Sequence, residues 1–132
     1  MKRVLLLIIL LALSKVLAAV ALEQLDYVGT WESVQGQAEL TVNISSDLSG
    51  QFIRSDIGEK TQRIPFTSSN VIFHDDLIII DLYVEKVPEL VYRLVLSGWK
   101  SGDTTRAYGY LYLYDGFGRP FNGMPTTLDK KH

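Results

Sequence analysis

The chain is predicted to fold as an all-β domain, an antiparallel up-and-down meander of about eight strands that closes, or nearly closes, into a barrel. Three observations carry that expectation. In Arg106-Ala107-Tyr108-Gly109-Tyr110-Leu111-Tyr112-Leu113-Tyr114, tyrosine takes every second position, a period that only a β-strand has. Short apolar or alternating runs recur between clusters of Gly, Pro, Asn, Asp and Ser. The rest of the chain shows no sustained helical period and no internal repeat.

The N-terminus stands apart from this pattern. Met1-Lys2-Arg3, the apolar run from Val4 to Leu13 and the small residues Ala19-Val20-Ala21 form the pattern of a secretory signal peptide cleaved after Ala21. Ser14 and Lys15 break the run well short of the roughly 20 apolar residues that a span needs, so no stable membrane anchor is expected. Residues 1–21 are therefore read as signal peptide and 22–132 as one domain, secreted or periplasmic.

Within that domain, Leu22 to Tyr27 is too short for an independent helix and is expected to plug one end of the sheet. Val28 to Val34 reads as the first strand and Gln35-Gly36-Gln37 as its turn. The second strand alternates cleanly, with Ala38, Leu40, Val42 and Ile44 facing inward. Gly50 to Ser55 follows the turn Ser46-Asp47-Leu48-Ser49. Beyond a turn at 56–59, Lys60 to Phe66 carries Pro65, which donates no ladder hydrogen bond and so marks an edge or a strand end. Val71 to Phe73 lies between Thr67-Ser68-Ser69-Asn70 and the polar turn His74-Asp75-Asp76.

Leu77 to Val84 and Glu89 to Leu96 are apolar on both faces, and a loop at Lys86-Val87-Pro88 sets Asp81 opposite Arg93. A two-residue turn at Gly102-Asp103 then puts Leu94 opposite Leu111, Leu96 opposite Gly109 and Tyr92 opposite Leu113. Asp115 to Pro125 reads as a pair of turns, with Phe117, Phe121 and Met124 forming a lid.

Charge and composition exclude several functions. The 13 basic residues less Lys2, Arg3 and Lys15 leave 10 against 15 acidic, a net charge of about −5, which argues against nucleic acid as a partner. With no cysteine, the chain has no disulfide, no thiolate metal site, no cysteine nucleophile and no lipoprotein anchor. His74-Asp75-Asp76 is the one cluster with metal-ligand chemistry, and adjacent strand residues point apart rather than converge on an ion. No nucleophile elbow surrounds any serine. No catalytic residue, metal or cofactor is expected, and the protein is read as non-enzymatic.

Gly29-Thr30-Trp31 resembles the Gly-x-Trp start of lipocalins, avidins and related calycin barrels, and Leu48-Ser49-Gly50-Gln51-Phe52 is similar to avidins in its spacing. The resemblance implies a calycin-like barrel in which Trp31 caps one end under a late arginine, Arg119 or Arg106. It also implies a small apolar or aromatic ligand held inside. The chain departs from lipocalins in lacking the helix after the eighth strand, and from avidins in the polar residues that grip biotin. Biotin is not expected.

The tyrosine ladder offers two arrangements. With Tyr108, Tyr110, Tyr112 and Tyr114 inside, they and Arg93 line a ligand pocket. With the aliphatic face inside, the tyrosines lie outside with Arg93, Trp99 and Tyr83, and form a surface for a protein partner or a homodimer. The first arrangement goes with the ligand function, the second with an inhibitor-like or self-associating interaction module.

Overall fold

A computed structural model describes residues 19–36, 38–55, 58 and 60–132. Residues 1–18 of the expected signal peptide lie outside the described residues, as do Gln37, Asp56, Ile57 and Glu59 of two predicted turns.

Among the described residues the chain forms ten strands of one antiparallel sheet: β1 Val20–Ala21, β2 Gly29–Ser33, β3 Leu40–Ile44, β4 Gly50–Arg54, β5 Gln62–Phe66, β6 Val71–His74, β7 Leu77–Leu82, β8 Tyr92–Ser101, β9 Thr104–Tyr114 and β10 Pro120–Lys130. Their order is β5-β4-β3-β2-β10-β9-β8-β7-β6, with β1 paired to β8. The all-β antiparallel sheet is as the sequence implies, with ten strands among the described residues where about eight are expected. Asp81 stands opposite Arg93, and Leu94 stands opposite Leu111.

Two expectations are corrected. The sheet is open and half-barrel-like, not a closed calycin barrel, because β5 and β6 do not pair. Between them the chain enters a 3-10 turn at Ser68–Asn70, where Thr67 N–H donates to Asn70 Oδ1 at 2.9 Å. Local side-chain bonds of this kind compete with a hairpin. Across the seam, β5 approaches β7 to within 8 Å between Cα atoms without a ladder. Hydrogen bonds from Ser45 N–H to Ser49 O and from Ser55 N–H to Glu39 O show that odd-numbered residues of β4 serve β3. The even ones therefore serve β5, through Phe52↔Ile64 and Arg54↔Gln62, and Pro65 points its missing N–H at the free edge.

The second correction is β10, expected to be turns and a lid. It runs eleven residues and joins the two halves of the sheet, pairing with β9 and β2. Val34 N–H donates to Thr127 O and Lys131 N–H to Thr30 O, so odd-numbered residues of β10 face β2. Pro125 is odd and lies beyond the last of these bonds. It deprives the ladder of nothing. Of the predicted lid, Phe117 and Phe121 are exposed, while Met124 packs on the core.

The concave face is filled by side chains. Leu40, Val42, Phe52, Ile64, Ile78, Ile80, Leu94 and Leu111 are all buried there. Tyr92 reaches across from β8, its ring centre 5.6 Å from that of Phe52 and its hydroxyl donating to Gln62 Oε1 at 2.8 Å. The 3-10 turn Gln24–Tyr27 seals one end: Gly98 N–H donates to the Tyr27 hydroxyl at 2.8 Å, and Leu22 N–H donates to Gly98 O. Burial pushes the Tyr27 phenol above its ordinary pKa.

The curl is tightest at glycine. A Cβ built on Gly109 would run into the backbone carbonyl of Val95, and one on Gly50 into that of Asn43. Gly109→Ala is expected to cost about 1–3 kcal/mol, because the backbone of the neighbouring strand must move. Urea unfolding checks this, and an unchanged midpoint would remove Gly109 from the account.

Candidate interaction surface

Period two sends the odd residues of β7 and β8 and the even residues of β9 to the convex side, since Ile78, Ile80, Leu94, Leu96, Ala107 and Leu111 are buried on the other. Register then aligns side chains in rows across the strands. One row runs Ile72, Ile79, Val95, Tyr110, Pro125, from β6 to β10. The next holds Asp81, Arg93, Tyr112 and Gly123, and on the other side lie Leu77, Ser97, Tyr108 and Thr127. Trp99 follows opposite Arg106, itself opposite Asp129.

Tyr108 and Tyr110 are about half exposed, and Ile72 is 51% exposed. Tyr110 and Tyr112 stack with ring centres 5.8 Å apart and planes 28° apart. Both rings lean over Gly123, where a Cβ would touch Tyr112 at 3.4 Å and Tyr110 at 3.8 Å. The glycine makes room for two aromatics to lie on the sheet instead of standing off it.

Charges on this face are already paired. Arg93 Nε donates to Asp81 Oδ1 at 2.6 Å and Arg93 Nη2 to Asp81 Oδ2 at 2.9 Å. Arg106 makes the same two-pronged contact with Asp129, at 2.6 and 3.0 Å. Hydrogen bonding to Asp81 raises the already high Arg93 pKa further, and the Arg106 guanidinium holds the Asp129 carboxyl below its ordinary value. A double-mutant cycle of Asp81→Asn and Arg93→Gln is expected to give about 1 kcal/mol, the upper end for a pair whose aspartate is shielded and whose arginine is not. A coupling near zero would mean that the fork contributes only geometry.

The other candidates are dispersed. Tyr114 continues the ladder half-buried, and Tyr83 is exposed beside the open seam, lining a hollow of about 440 Å³ with Arg63 and Pro65. Trp31 is buried with its indole N–H donating to Tyr27 O at 2.9 Å. Arg119 is not brought to it: its guanidinium binds Asp115 at 3.0 Å and lies 5.8 Å from the Phe117 ring, in the β9–β10 turn. The cation near Trp31 is Lys130, its partner across β2 and β10, whose ammonium donates to Asp26 O at 2.8 Å.

Ile72, Gly123 and Pro125 escaped the sequence reading, the last two because they were assigned to turns. His74, expected in a turn, ends β6, and Asp75 and Asp76 form the tight β6–β7 turn, with Asp75 at φ 52°. Among the described residues no group of three His, Asp or Glu could hold a metal ion.

The expected ligand site inside a calycin-type barrel is corrected by the same geometry. The interior is occupied by packed side chains and the sheet is open; the surface hollows of 220–440 Å³ touch the concave-face residues at Leu40 and Ile64 and are not lined by Phe52, Ile78, Ile80, Leu94 or Leu111. Among the described residues no helix is long and apolar enough to cross a membrane. No family model, no curated protein and no solved structure matches the chain.

Proposed function

We propose that this chain is an exported, non-enzymatic protein-interaction module whose contact surface is the convex tyrosine face of β7 to β10. Export is supported by the basic start, apolar run and small residues at the N-terminus. One observation carries the contact role: Ile72, Ile79, Val95, Tyr110 and Pro125 form an unbroken row across five strands, with Tyr108 and Tyr112 on either side. That region spans roughly 20 Å across the strands and roughly 14 Å along them. An area of that size suits the apolar centre of an interface, and Arg93–Asp81 and Arg106–Asp129 supply the polar rim. Tyrosine is a side chain that such centres favour, since it offers a large rigid surface with few torsions to freeze.

A photo-cross-linking residue at position 110, compared with one at exposed Glu39 across the sheet, tests this in the producing cell. The expected result is one adduct of defined mass from position 110 and none from position 39. No adduct from 110, or the same smear from both, would contradict it. An adduct of twice the chain mass would identify the partner as a second copy.

A further inference from the structure

We infer that the amino terminus released by cleavage after Ala21 has a socket of its own in the fold, where its ammonium donates to Gly98 O and pairs with the Asp76 carboxylate. The socket rests on the export proposed above and carries it to one atom, the Leu22 nitrogen. That nitrogen already donates to Gly98 O at 3.0 Å. As the first nitrogen of a processed chain it keeps this bond and gains two further N–H donors and a positive charge.

The nitrogen is held from its C-terminal side, so removal of the leader leaves it in place. Leu22 is buried, whereas Val20 and Ala21 across the junction are exposed. Its side chain lies on Gly98, where a Cβ would collide with it, and Gly98 N–H donates to the Tyr27 hydroxyl. Behind Leu22, Glu23 N–H donates to Asp26 Oδ2 at 2.9 Å and Lys130 Nζ donates to Asp26 O at 2.8 Å. None of these contacts uses β1. Cleavage takes away β1 with its pairs Val20↔Lys100 and Ala21↔Trp99, and so opens the β8 edge while the new terminus keeps the end plug seated.

The charges around the junction favour a cation. Asp76 borders it from two directions: one hollow beside this residue is lined by Ala21 and Gly98, the other by Leu22 and Glu23. Among the described residues the Asp76 carboxylate has no ion pair. The neighbouring groups are engaged elsewhere, Asp75 lying 3.4 Å from His74 Nε2 and Asp26 3.3 Å from Lys100 Nζ. The field of Asp76 reaches the plug, since burial first and this charge after it push the Tyr27 phenol up. With Glu23 adjoining and both nearby lysines turned to Asp26, the net field at the Leu22 nitrogen is negative. A field of that sign raises the pKa of an amine above its ordinary value of about 7.7–8.0. The stabilisation is then fully present below that range and is lost as pH rises through the folded value.

The test uses the processed protein recovered from the producing cell, its first residue read by mass, with the α-amine titrated by NMR at the Leu22 α-carbon. A pKa about half a unit or more above the ordinary range is expected, and Asp76→Asn should return it to that range. Asp75→Asn, whose carboxylate faces His74, should move it less than half as far. Urea unfolding gives a second readout: the wild-type midpoint should exceed that of Asp76→Asn at about pH 6, and the gap should close by about pH 10. An α-amine at or below its ordinary value, equal responses to Asp75→Asn and Asp76→Asn, or a gap that persists at the higher pH would overturn the socket. A recovered chain that keeps its leader or begins elsewhere would overturn the cleavage reading and the socket with it, whereas a chain that begins at Leu22 with an ordinary α-amine would overturn the socket alone.

Discussion

Trp31→Ala is expected to lower the unfolding free energy by about 3–5 kcal/mol, the range for removing a large buried aromatic ring. The indole is 2% exposed, it lies 5.9 Å from the Tyr27 ring between centres, and its N–H donates to the Tyr27 carbonyl. Its loss would reach further than its own cavity. Tyr27 is held by that bond and in turn satisfies Gly98, and its ring lies 5.9 Å from Phe73 of β6. The substitution therefore loosens the end plug and the edge strand together. In a domain whose whole stability is about 5–15 kcal/mol, such a loss leaves little margin. Trp31→Phe supplies a second point. It keeps a ring and abandons the hydrogen bond, for an expected cost of about 1–3 kcal/mol from the unpaired Tyr27 carbonyl. Denaturant unfolding of both variants checks the account, and Trp31→Ala within about 1 kcal/mol of wild type would contradict it.

Much of this architecture is written in local pattern. Alternation at Leu40, Val42 and Ile44 is read directly as an inward face, and the Gly102-Asp103 turn fixes the β8–β9 register, with Gly102 at φ 60°. Asp81 and Arg93 are legible as a pair because a hairpin leaves few registers for two long apolar runs. Two features are not legible, each for a physical reason. Pro120 and Pro125 argue against a strand unless it is known which edge their missing N–H would face, and that depends on where β2 stops pairing. Closure depends on whether β5 meets β6 across the four residues Thr67–Asn70, where side-chain bonds that a turn-like sequence does not announce hold a 3-10 turn instead of a hairpin.

The candidate site follows the same division. Which residues share the tyrosine face is set by a period of two and was readable. Its inward or outward direction depends on the total packing of the concave side, so no single strand declares it. Gly109 shows how close that packing is: a Cβ there would strike the Val95 carbonyl of the next strand, so this one position of the aliphatic face carries no side chain. Arg119 shows the opposite failing. Its position late in the chain suggested a partner for Trp31, but Asp115 four residues earlier captures it within its own turn.

Under the proposed contact role the fold owes little to the tyrosine face, while the aliphatic face of the same strand is core. Leu111 is fully buried between Leu94 of β8 and Met124 of β10, and its truncation to Ala is expected to cost about 2–5 kcal/mol. Tyr110 and Tyr112 contribute mainly their stacking and cross-strand contacts on an open surface. Tyr110→Ser/Tyr112→Ser should accordingly remain within about 1.5 kcal/mol of wild type. The decisive measurement is equilibrium urea unfolding of the two variants side by side. The account predicts a large loss for Leu111→Ala and a small one for the double tyrosine variant, whereas a double variant that loses as much as Leu111→Ala or more would show the tyrosines to be core and contradict it.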